Sequence, residues 1–219
     1  RSSKQEVASY PVFDELMQRG PLDMLLVTGA PVEHLPYEDI QYFEELNDIF
    51  AHAQQRISSI MGLCFGGLAL AKYLGIDKRV VKDKIFGVHQ VKASHCAQRY
   101  VGHGRTEFNL PLSTWALLDE SQLAHSRLGP LRSLAHHPEL GPLMLATPNE
   151  QFVIMLGHPE YTVDTLYREW QRDLGKNSPY TRRFTHRSFV EMERQLQQGA
   201  SPILANWVRN HHAKSTLAA

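Results

Sequence analysis

The sequence predicts an α/β fold in which an open, mostly parallel sheet is flanked by helices. Three observations support this prediction. Short apolar runs alternate with stretches of helical period, as expected for parallel strands joined by crossover helices. Of the 219 residues, 42% are hydrophobic, which is enough for the core of a single domain over residues 1–219. After Pro159 the apolar spacing becomes helical.

The first half of the chain predicts two strand–helix units. Residues 23–28 (DMLLVT) form a short apolar run closed by a glycine, which is typical of a buried parallel strand. Residues 37–55 place isoleucine, phenylalanine and leucine on one helical face. Residues 57–63 are predicted as the second strand, and the alanine- and leucine-rich residues 65–74 as a helix ended by Gly75. Because a helical stretch precedes the first strand, we expect an N-terminal βα portion to be missing from the chain as given.

The second half predicts further strands and then helices. Apolar runs indicate strands at 85–91, 104–110, 143–147 and 152–156. Helical spacing indicates helices at 162–174, 188–198 and 203–211. Residues 113–142 are interrupted by proline, glycine and histidine and receive no assignment.

The composition argues against several classes of partner. Lys and Arg together number 23, as do Asp and Glu, so no basic field favours nucleic acid. No apolar run reaches the roughly 18 residues that a membrane span needs, and the first ten residues lack the core of a signal peptide, so we expect a cytoplasmic protein. Two cysteines make no disulfide framework, and the 12 histidines lack metal-ligand spacing, so we expect no metal site.

One of the two cysteines lies at a predicted strand-to-helix junction. Gly62-Leu63-Cys64-Phe65-Gly66 has the form of a nucleophile elbow with cysteine in place of serine, where a tight turn leaves no room for larger neighbours. The helix N-terminus should favour the thiolate of Cys64, and the Phe65 N–H should point at a developing oxyanion. The alternative is a buried cysteine in a tight turn.

A second group of residues stands at the end of the last predicted strand. The chain reads Gly157-His158-Pro159-Glu160-Tyr161 there, and open α/β sheets carry their chemistry at the carboxyl ends of strands. A cysteine nucleophile needs a base, and the base needs a group that fixes its tautomer. His158 and Glu160 can supply both, which predicts a Cys64-His158-Glu160 triad; a simple helix start is the alternative.

The GLCFGG and GHPE motifs together resemble the class I glutamine amidotransferase fold, a flavodoxin-like open sheet. Within that superfamily the sequence is similar to the homoserine O-acyltransferase family of methionine biosynthesis. The stretches that carry the likeness are LLVTGAPVEHLPYEDIQYFEEL, the elbow, KIFGV, GHPEYTVDTLYREWQRDL and LANWV. An amidotransferase would more often have a glycine-rich loop where this chain has TGAP.

The resemblance implies a role for each member of the triad. Cys64 would take the acyl group from an acyl-CoA, which acts as a co-substrate without any bound cofactor. His158 would be the base and Glu160 its orienting partner. The oxyanion hole would combine the Phe65 N–H with an amide of the loop that contains Gly29 and Ala30.

The resemblance also implies the two substrate subsites. Glu169 and Arg172, spaced i, i+3, match the family's charged pair, and they would bind the ammonium and carboxylate of a small hydroxy amino acid. Without the resemblance they would be interpreted as an exposed helix ion pair. A glutamate at position 33 goes with acetyl-CoA rather than succinyl-CoA in this family, because its carboxylate would repel the succinyl carboxylate. The alternative is a loop glutamate that faces elsewhere.

Departures from the family leave the acceptor open. Leu112-Ser113-Thr114 stands where members usually have His-Ser-Arg, so serine is an alternative acceptor to homoserine. Three different functions also stay open: succinyl transfer by the same mechanism, glutamine hydrolysis by an amidotransferase subunit, and binding without catalysis. The resemblance also suggests a homodimer.

Overall fold

The computed structural model describes residues 9–200 and 202–217, with side chains described as far as residue 211. The segment 1–8, on which the expectation about a signal peptide rests in part, lies outside the described residues. Seven strands form one sheet: β1 (Met24–Val27), β2 (Ser59–Leu63), β3 (Lys78–Ala93), β4 (Glu107–Leu118), β5 (Arg132–His137), β6 (Gly141–Ala146) and β7 (Phe152–Met155).

The described α-helices follow the predicted positions, with additions. They are α1 (Phe13–Gln18), α2 (Phe43–Arg56), α3 (Phe65–Tyr73), α4 (Gln98–Val101), α5 (Val163–Leu174), α6 (His186–Gly199) and α7 (Ile203–Leu217). The stretch predicted as one helix from residue 37 divides into a 3₁₀ turn (Tyr37–Asp39) and α2. The last helix runs beyond the predicted end at residue 211.

The sheet has the order β1-β2-β7-β6-β5-β3-β4 and is mixed rather than mostly parallel. Only β1, β2 and β7 pair in parallel, and every other ladder among the described strands is antiparallel. The mixture arises because β3 and β4 form a long hairpin-like pair and because β5, β6 and β7 follow one another through short turns. The parallel part is the part that an α/β alternation in the sequence can predict.

Two strands are much longer than predicted, and one was missed. Strand β3 begins seven residues before the predicted 85–91 run, with a register irregularity between Val80 and Ile85, and β4 continues past Pro111 to Leu118. Strand β5 lies inside the segment that received no assignment. Its burial alternates only weakly, and its histidines and arginine hide the period that marks a strand.

Strands β2, β6 and β7 lie in the interior of the sheet and form the centre of the core. Every residue of β2, β6 and β7 is buried, as expected for strands covered on both faces. A second, smaller apolar cluster joins β3 to α5 and α6, and its buried members are Phe86, Leu166, Trp170, Tyr180, Phe189 and Met192. This cluster holds α5 and α6 against β3.

Candidate active site

The turn from β2 to α3 holds Cys64 in a strained backbone conformation. Its φ of 50° and ψ of −115° lie outside the regions that non-glycine residues ordinarily occupy, and such strain is concentrated at functional sites. A Cβ on Gly62 would overlap the Gly66 carbonyl, and a Cβ on Gly66 would overlap the Val27 carbonyl oxygen. The predicted reason for the flanking glycines is therefore confirmed: backbone from β1, β2 and α3 converges too closely for any side chain.

His158 and Glu160 lie in one tight turn that follows β7. The Tyr161 N–H donates to the His158 carbonyl at 3.1 Å, and the His158 N–H donates to the Pro111 carbonyl on β4 at 2.8 Å. The side chain of His158 is buried, and its Nδ1 lies 2.8 Å from Glu160 Oε1. This bond fixes one edge of the imidazole, so its other nitrogen is the one available for proton transfer.

Gly29 shows how closely the nucleophile and the imidazole approach each other. A methyl carbon placed on Gly29 would lie 3.7 Å from Cys64 Sγ and 3.4 Å from His158 Cε1. Both groups therefore border the same small space at the end of β1. Ala30, the other predicted oxyanion residue, is half-buried, and its carbonyl accepts from the Val32 N–H at 2.8 Å, which closes the loop tightly.

The surroundings of Cys64 favour its thiol form over the thiolate. Burial raises its pKa well above the ordinary value, the negative charge of Glu33 adds to this, and a hydrogen bond from the Phe65 N–H lowers it only in part. The expected net preference for thiolate at the helix N-terminus is not met, because desolvation outweighs the Phe65 hydrogen bond. That the Phe65 N–H points at a developing oxyanion stays a prediction. The thiol lies 3.9 Å from the Ser113 carbonyl. A base is therefore needed to ionise the sulfur.

A network of charged groups lies where α5 meets β3. Lys84 is buried, and its Nζ lies 3.0 Å from Glu169 Oε1 and 3.0 Å from Asp173 Oδ2. Arg172 is half-exposed and reaches Glu169 Oε1 at 3.0 Å and Asp173 Oδ1 at 2.7 Å. The Tyr180 hydroxyl donates to Asp173 Oδ2 at 2.7 Å. Glu169 and Arg172 thus form the i, i+3 pair, but a buried lysine makes it more than a surface ion pair.

Asp173 is the anchor of this network. Burial alone would raise the pKa of its carboxyl, but hydrogen bonds from Arg172, Tyr180 and Lys84 outweigh burial and hold that pKa well below its usual range. Asp173 therefore stays ionised and satisfied. Glu169, in contrast, shares one oxygen between two cations and has the other left over.

Three buried polar atoms around the sulfur have no hydrogen-bond partner among the described residues. They are Glu33 Oε2, Glu169 Oε2 and Ser113 Oγ. Glu33 is 5% exposed, and burial raises its pKa, which the nearby Lys84 charge lowers in part. Buried polar groups are nearly always paired in native proteins, so the three at this site are available to a polar ligand. Four other such atoms among the described residues belong to no residue of this site: His52 Nε2, His89 Nε2, Ser94 Oγ and Arg132 Nε.

Lys84, Ser113 and Tyr161 belong to the site, and no role was predicted for them from the sequence. Lys84 opens the KIFGV stretch, and a lysine that leads into an apolar strand is a weak signal of burial. Ser113 lies within the missed half of β4. Tyr161 stacks on the His158 ring, with centroids 3.9 Å apart and an interplanar angle of 18°. The contacts of Lys84 and Ser113 join distant elements, which local patterns do not reveal, whereas Tyr161 meets His158 within one turn.

Comparison with known protein families shows to which family the chain belongs. The model of the homoserine O-succinyltransferase family matches residues 3–216. The chain belongs to this family. It is 31% identical over 173 residues to a homoserine O-acetyltransferase of Dinoroseobacter shibae, covering 78% of this chain and 56% of that protein. It is 32% identical over 171 residues to one of Bacillus subtilis, covering 77% of this chain and 55% of that protein. The chain thus spans about half the length of the curated relatives it matches.

The fold of this homoserine O-succinyltransferase family member is similar to that of solved glutamine amidotransferases. A glutamine amidotransferase of Thermotoga maritima superposes with a TM-score of 0.64 at 14% identity, covering 85% of this chain and 77% of that one. A glutamine amidotransferase of Methylobacillus flagellatus superposes with a TM-score of 0.64 at 15% identity, covering 89% and 82%. At these identities the likeness concerns the fold, and it confirms the predicted amidotransferase-like architecture.

Metal clusters and membrane-spanning helices are both absent from the described part of this family member. Within residues 9–200 and 202–217, His, Cys, Asp and Glu side chains form no group of three or more with the geometry to hold a metal ion. Across the same part of the chain, no helix combines the length and the apolar character that crossing a membrane requires.

Proposed function

We propose that the chain is an acyl-CoA-dependent O-acyltransferase that moves an acetyl group through a Cys64 thioester to the hydroxyl of homoserine or a similar amino acid such as serine. The observation that carries the proposal is the shared space at Gly29, which Cys64 Sγ and the His158 imidazole both border. A transferase of this kind would serve methionine biosynthesis. Relatives named homoserine O-acetyltransferase support the choice of reaction.

The first half-reaction begins from the thiol form that burial favours. His158 accepts the Cys64 proton while the sulfur attacks the carbonyl carbon of the acyl-CoA thioester, and the Phe65 N–H stabilises the oxyanion. The tetrahedral intermediate then collapses: the bond to the sulfur of CoA breaks, and the leaving thiolate takes the proton from His158. Glu160 stabilises the imidazolium through the 2.8 Å contact at Nδ1. The products are free CoA and an acyl-Cys64 thioester.

The second half-reaction uses the same base. The acceptor hydroxyl gives its proton to His158 and attacks the acyl carbonyl, the C–S bond breaks, and Cys64 leaves as a thiolate that His158 reprotonates. Because the enzyme begins and ends neutral at the thiol, one imidazole serves both transfers in a ping-pong scheme.

The charged network is suited to binding the ammonium and carboxylate groups of an amino acid. Glu169 Oε2 is buried and lacks a hydrogen-bond partner among the described residues, so the acceptor ammonium would complete its hydrogen bonding. Arg172 uses its Nε and one terminal nitrogen on neighbouring carboxylates, and its half-exposed guanidinium has further donors for the acceptor carboxylate. Lys84 holds Glu169 in place from the buried side.

Glu33 supports acetyl over succinyl as the transferred group. The side chain of Glu33 is buried, and its charge contributes to the raised pKa of the Cys64 thiol. When ionised it repels a second carboxylate on the acyl chain, and when neutral it still fills the volume that a succinyl group needs. Glu33→Gly should therefore raise kcat/KM for succinyl-CoA relative to acetyl-CoA. If the ratio of these two kcat/KM values is the same as in the wild type, Glu33 does not line the acyl pocket.

Two further parts of the proposal concern context. We propose a cytoplasmic homodimer, on the basis of the resemblance to the homoserine O-acyltransferase family. Light scattering on the purified chain would test the dimer directly.

Intact-mass spectrometry tests the proposed chemistry. The chain is mixed separately with acetyl-CoA, succinyl-CoA and glutamine, and the mass gained names the donor. Acetyl-CoA should add one acetyl group to the wild type and to Cys96→Ala, whose cysteine is exposed, and none to Cys64→Ala. Ammonia release from glutamine, or a label that maps to Cys96, would contradict the proposal.

A further inference from the structure

Tyr161 covers one face of the His158 imidazole. The two rings are nearly parallel, with centroids 3.9 Å apart. The same short turn positions both residues, because the Tyr161 N–H donates to the His158 carbonyl at 3.1 Å. The base and the ring that covers it are therefore built as one local unit.

The stack and the hydrogen bond to Glu160 restrain different motions of His158. The 2.8 Å contact between Nδ1 and Glu160 Oε1 lies at the ring edge and fixes the tautomer, but it leaves the ring free to tilt about that edge. A parallel aromatic ring in van der Waals contact opposes this tilt. Glu160 is also partly exposed, so its bond alone is a weak restraint.

Open space next to Tyr161 makes the restraint necessary. A cavity of about 330 Å³ lies between β4, the start of α5 and α6, and Tyr161, Pro159, Leu110 and Pro111 form part of its wall. Tyr161 both lines this cavity and stacks on His158. A smaller, non-aromatic side chain would give the imidazole room to tilt toward the cavity and away from Cys64.

We propose that Tyr161 is a positioning residue whose ring holds the His158 imidazole against Cys64. The proposal rests on the proposed function in taking His158 as the base. The aromatic ring performs this task, and the phenol hydroxyl is not needed for it. Since displacing a reacting group by about 1 Å can cost roughly a hundredfold in rate, loss of the ring should slow Cys64 ionisation by roughly ten- to a hundredfold.

The experiment compares Tyr161→Leu, Tyr161→Phe and the control Tyr167→Leu. Tyr167 lies on α5 and packs on Trp170, His186 and Phe189, so its replacement is the same chemical change away from the base. All variants carry Cys96→Ala, because Cys96 is exposed and would itself react with iodoacetamide. Two rates are measured by intact mass: alkylation of Cys64 by iodoacetamide, in which the sulfur displaces iodide and His158 takes the thiol proton, and acylation by acetyl-CoA. Tyr161→Leu should slow both, while Tyr161→Phe and Tyr167→Leu should keep the wild-type rates.

A spectroscopic measurement on the wild type makes the test independent of whether Tyr161→Leu folds. Ring protons of His158, assigned by their loss in His158→Gln, should show an upfield ring-current shift in a ¹H–¹³C spectrum, and Tyr161→Phe should retain it. Absence of that shift, wild-type rates in a folded Tyr161→Leu, or a Phe variant as slow as Leu would each overturn the proposal. If no acyl-CoA labels the wild type while alkylation still depends on the Tyr161 ring, the proposed function fails and the positioning role stands.

Discussion

Gly29→Ala places one methyl group in the space that Cys64 and His158 share. The added carbon would lie 3.3 Å from Cys64 Cβ, 3.4 Å from His158 Cε1 and 3.7 Å from Cys64 Sγ. These distances require the neighbours to yield by only a few tenths of an ångström. Overpacking costs about 1–3 kcal/mol, and because the overlap is slight we expect a loss in unfolding free energy near the lower end, about 1 kcal/mol.

The effect of this methyl group on catalysis should be much larger. The thioester carbonyl has to enter the space between the sulfur and the imidazole, and the methyl group occupies it. A substrate displaced by about 1 Å loses roughly a hundredfold in rate, so acylation of Gly29→Ala by acetyl-CoA should fall by about that factor. Rapid-quench intact-mass spectrometry gives the rate, and urea unfolding gives the stability.

Two matched glycine variants separate blocking of the site from damage to the fold. A Cβ on Gly66 meets backbone of β1, so Gly66→Ala should lose both stability and acylation. A Cβ on Gly175, whose φ is −61°, has its nearest atoms at 3.5 and 3.7 Å, so Gly175→Ala should change neither. Acylation of Gly29→Ala at the wild-type rate would refute the view that substrate reacts in this space.

Three further predictions concern the charged groups. Arg172→Ala should still form the acetyl-enzyme, but transfer of the acetyl group to homoserine should slow by about 1.5–3 kcal/mol or roughly ten- to a hundredfold, which is the equivalent of one charge-assisted contact. Arg172→Lys should recover part of this rate, and equal loss of both half-reactions in Arg172→Ala would contradict an acceptor role. Because burial raises the folded-state pKa of Glu33 above its ordinary value of 4.5, the stability that the protonated carboxyl contributes is present below about that pH and is lost as pH rises through the folded pKa. In thermal melts, the Tm of Glu33→Gln minus the Tm of the wild type should therefore increase as pH rises from 4.5 to 8. A Tm difference that decreases over this range would show that burial does not disfavour the Glu33 anion. Asp173→Ala leaves buried Lys84 with one carboxylate fewer and should lower the free energy of unfolding, measured in urea, by about 3–5 kcal/mol. The control Glu191→Ala removes an exposed i, i+3 partner of Arg194 and should leave the urea midpoint unchanged. Similar urea midpoints for the two variants would show that the Lys84 network does not stabilise the fold.

Local sequence patterns predicted the parts of the site that local geometry builds. The elbow at Cys64 is specified by its flanking glycines, because backbone approach excludes every other side chain there. The His158–Glu160 pair is specified by a short turn within which the two side chains meet. Strands β1, β2 and β7, which carry both motifs to one edge of the sheet, were recognisable as short apolar runs.

Contacts between distant elements account for what the sequence did not predict. Strand β4 passes over the carboxyl ends of β2 and β7, where Pro111 meets the His158 amide and Ser113 meets the Cys64 thiol. The burial of Lys84 depends on carboxylates about 85 residues further along the chain. The raised pKa of the Cys64 thiol has the same origin, because burial by the whole fold outweighs the local effect of the helix N-terminus.

The central claim is that Cys64 carries the acyl group between two substrates. The most direct test prepares the acetyl-enzyme with acetyl-CoA, removes all free acetyl-CoA, and then adds homoserine or serine while the protein mass and the small products are followed together. We predict that the acetyl group leaves Cys64 as the O-acetyl amino acid appears in equal amount, with homoserine preferred and serine close behind. An acetyl-enzyme that persists in the presence of both amino acids, or that loses its label only to water, would contradict the account.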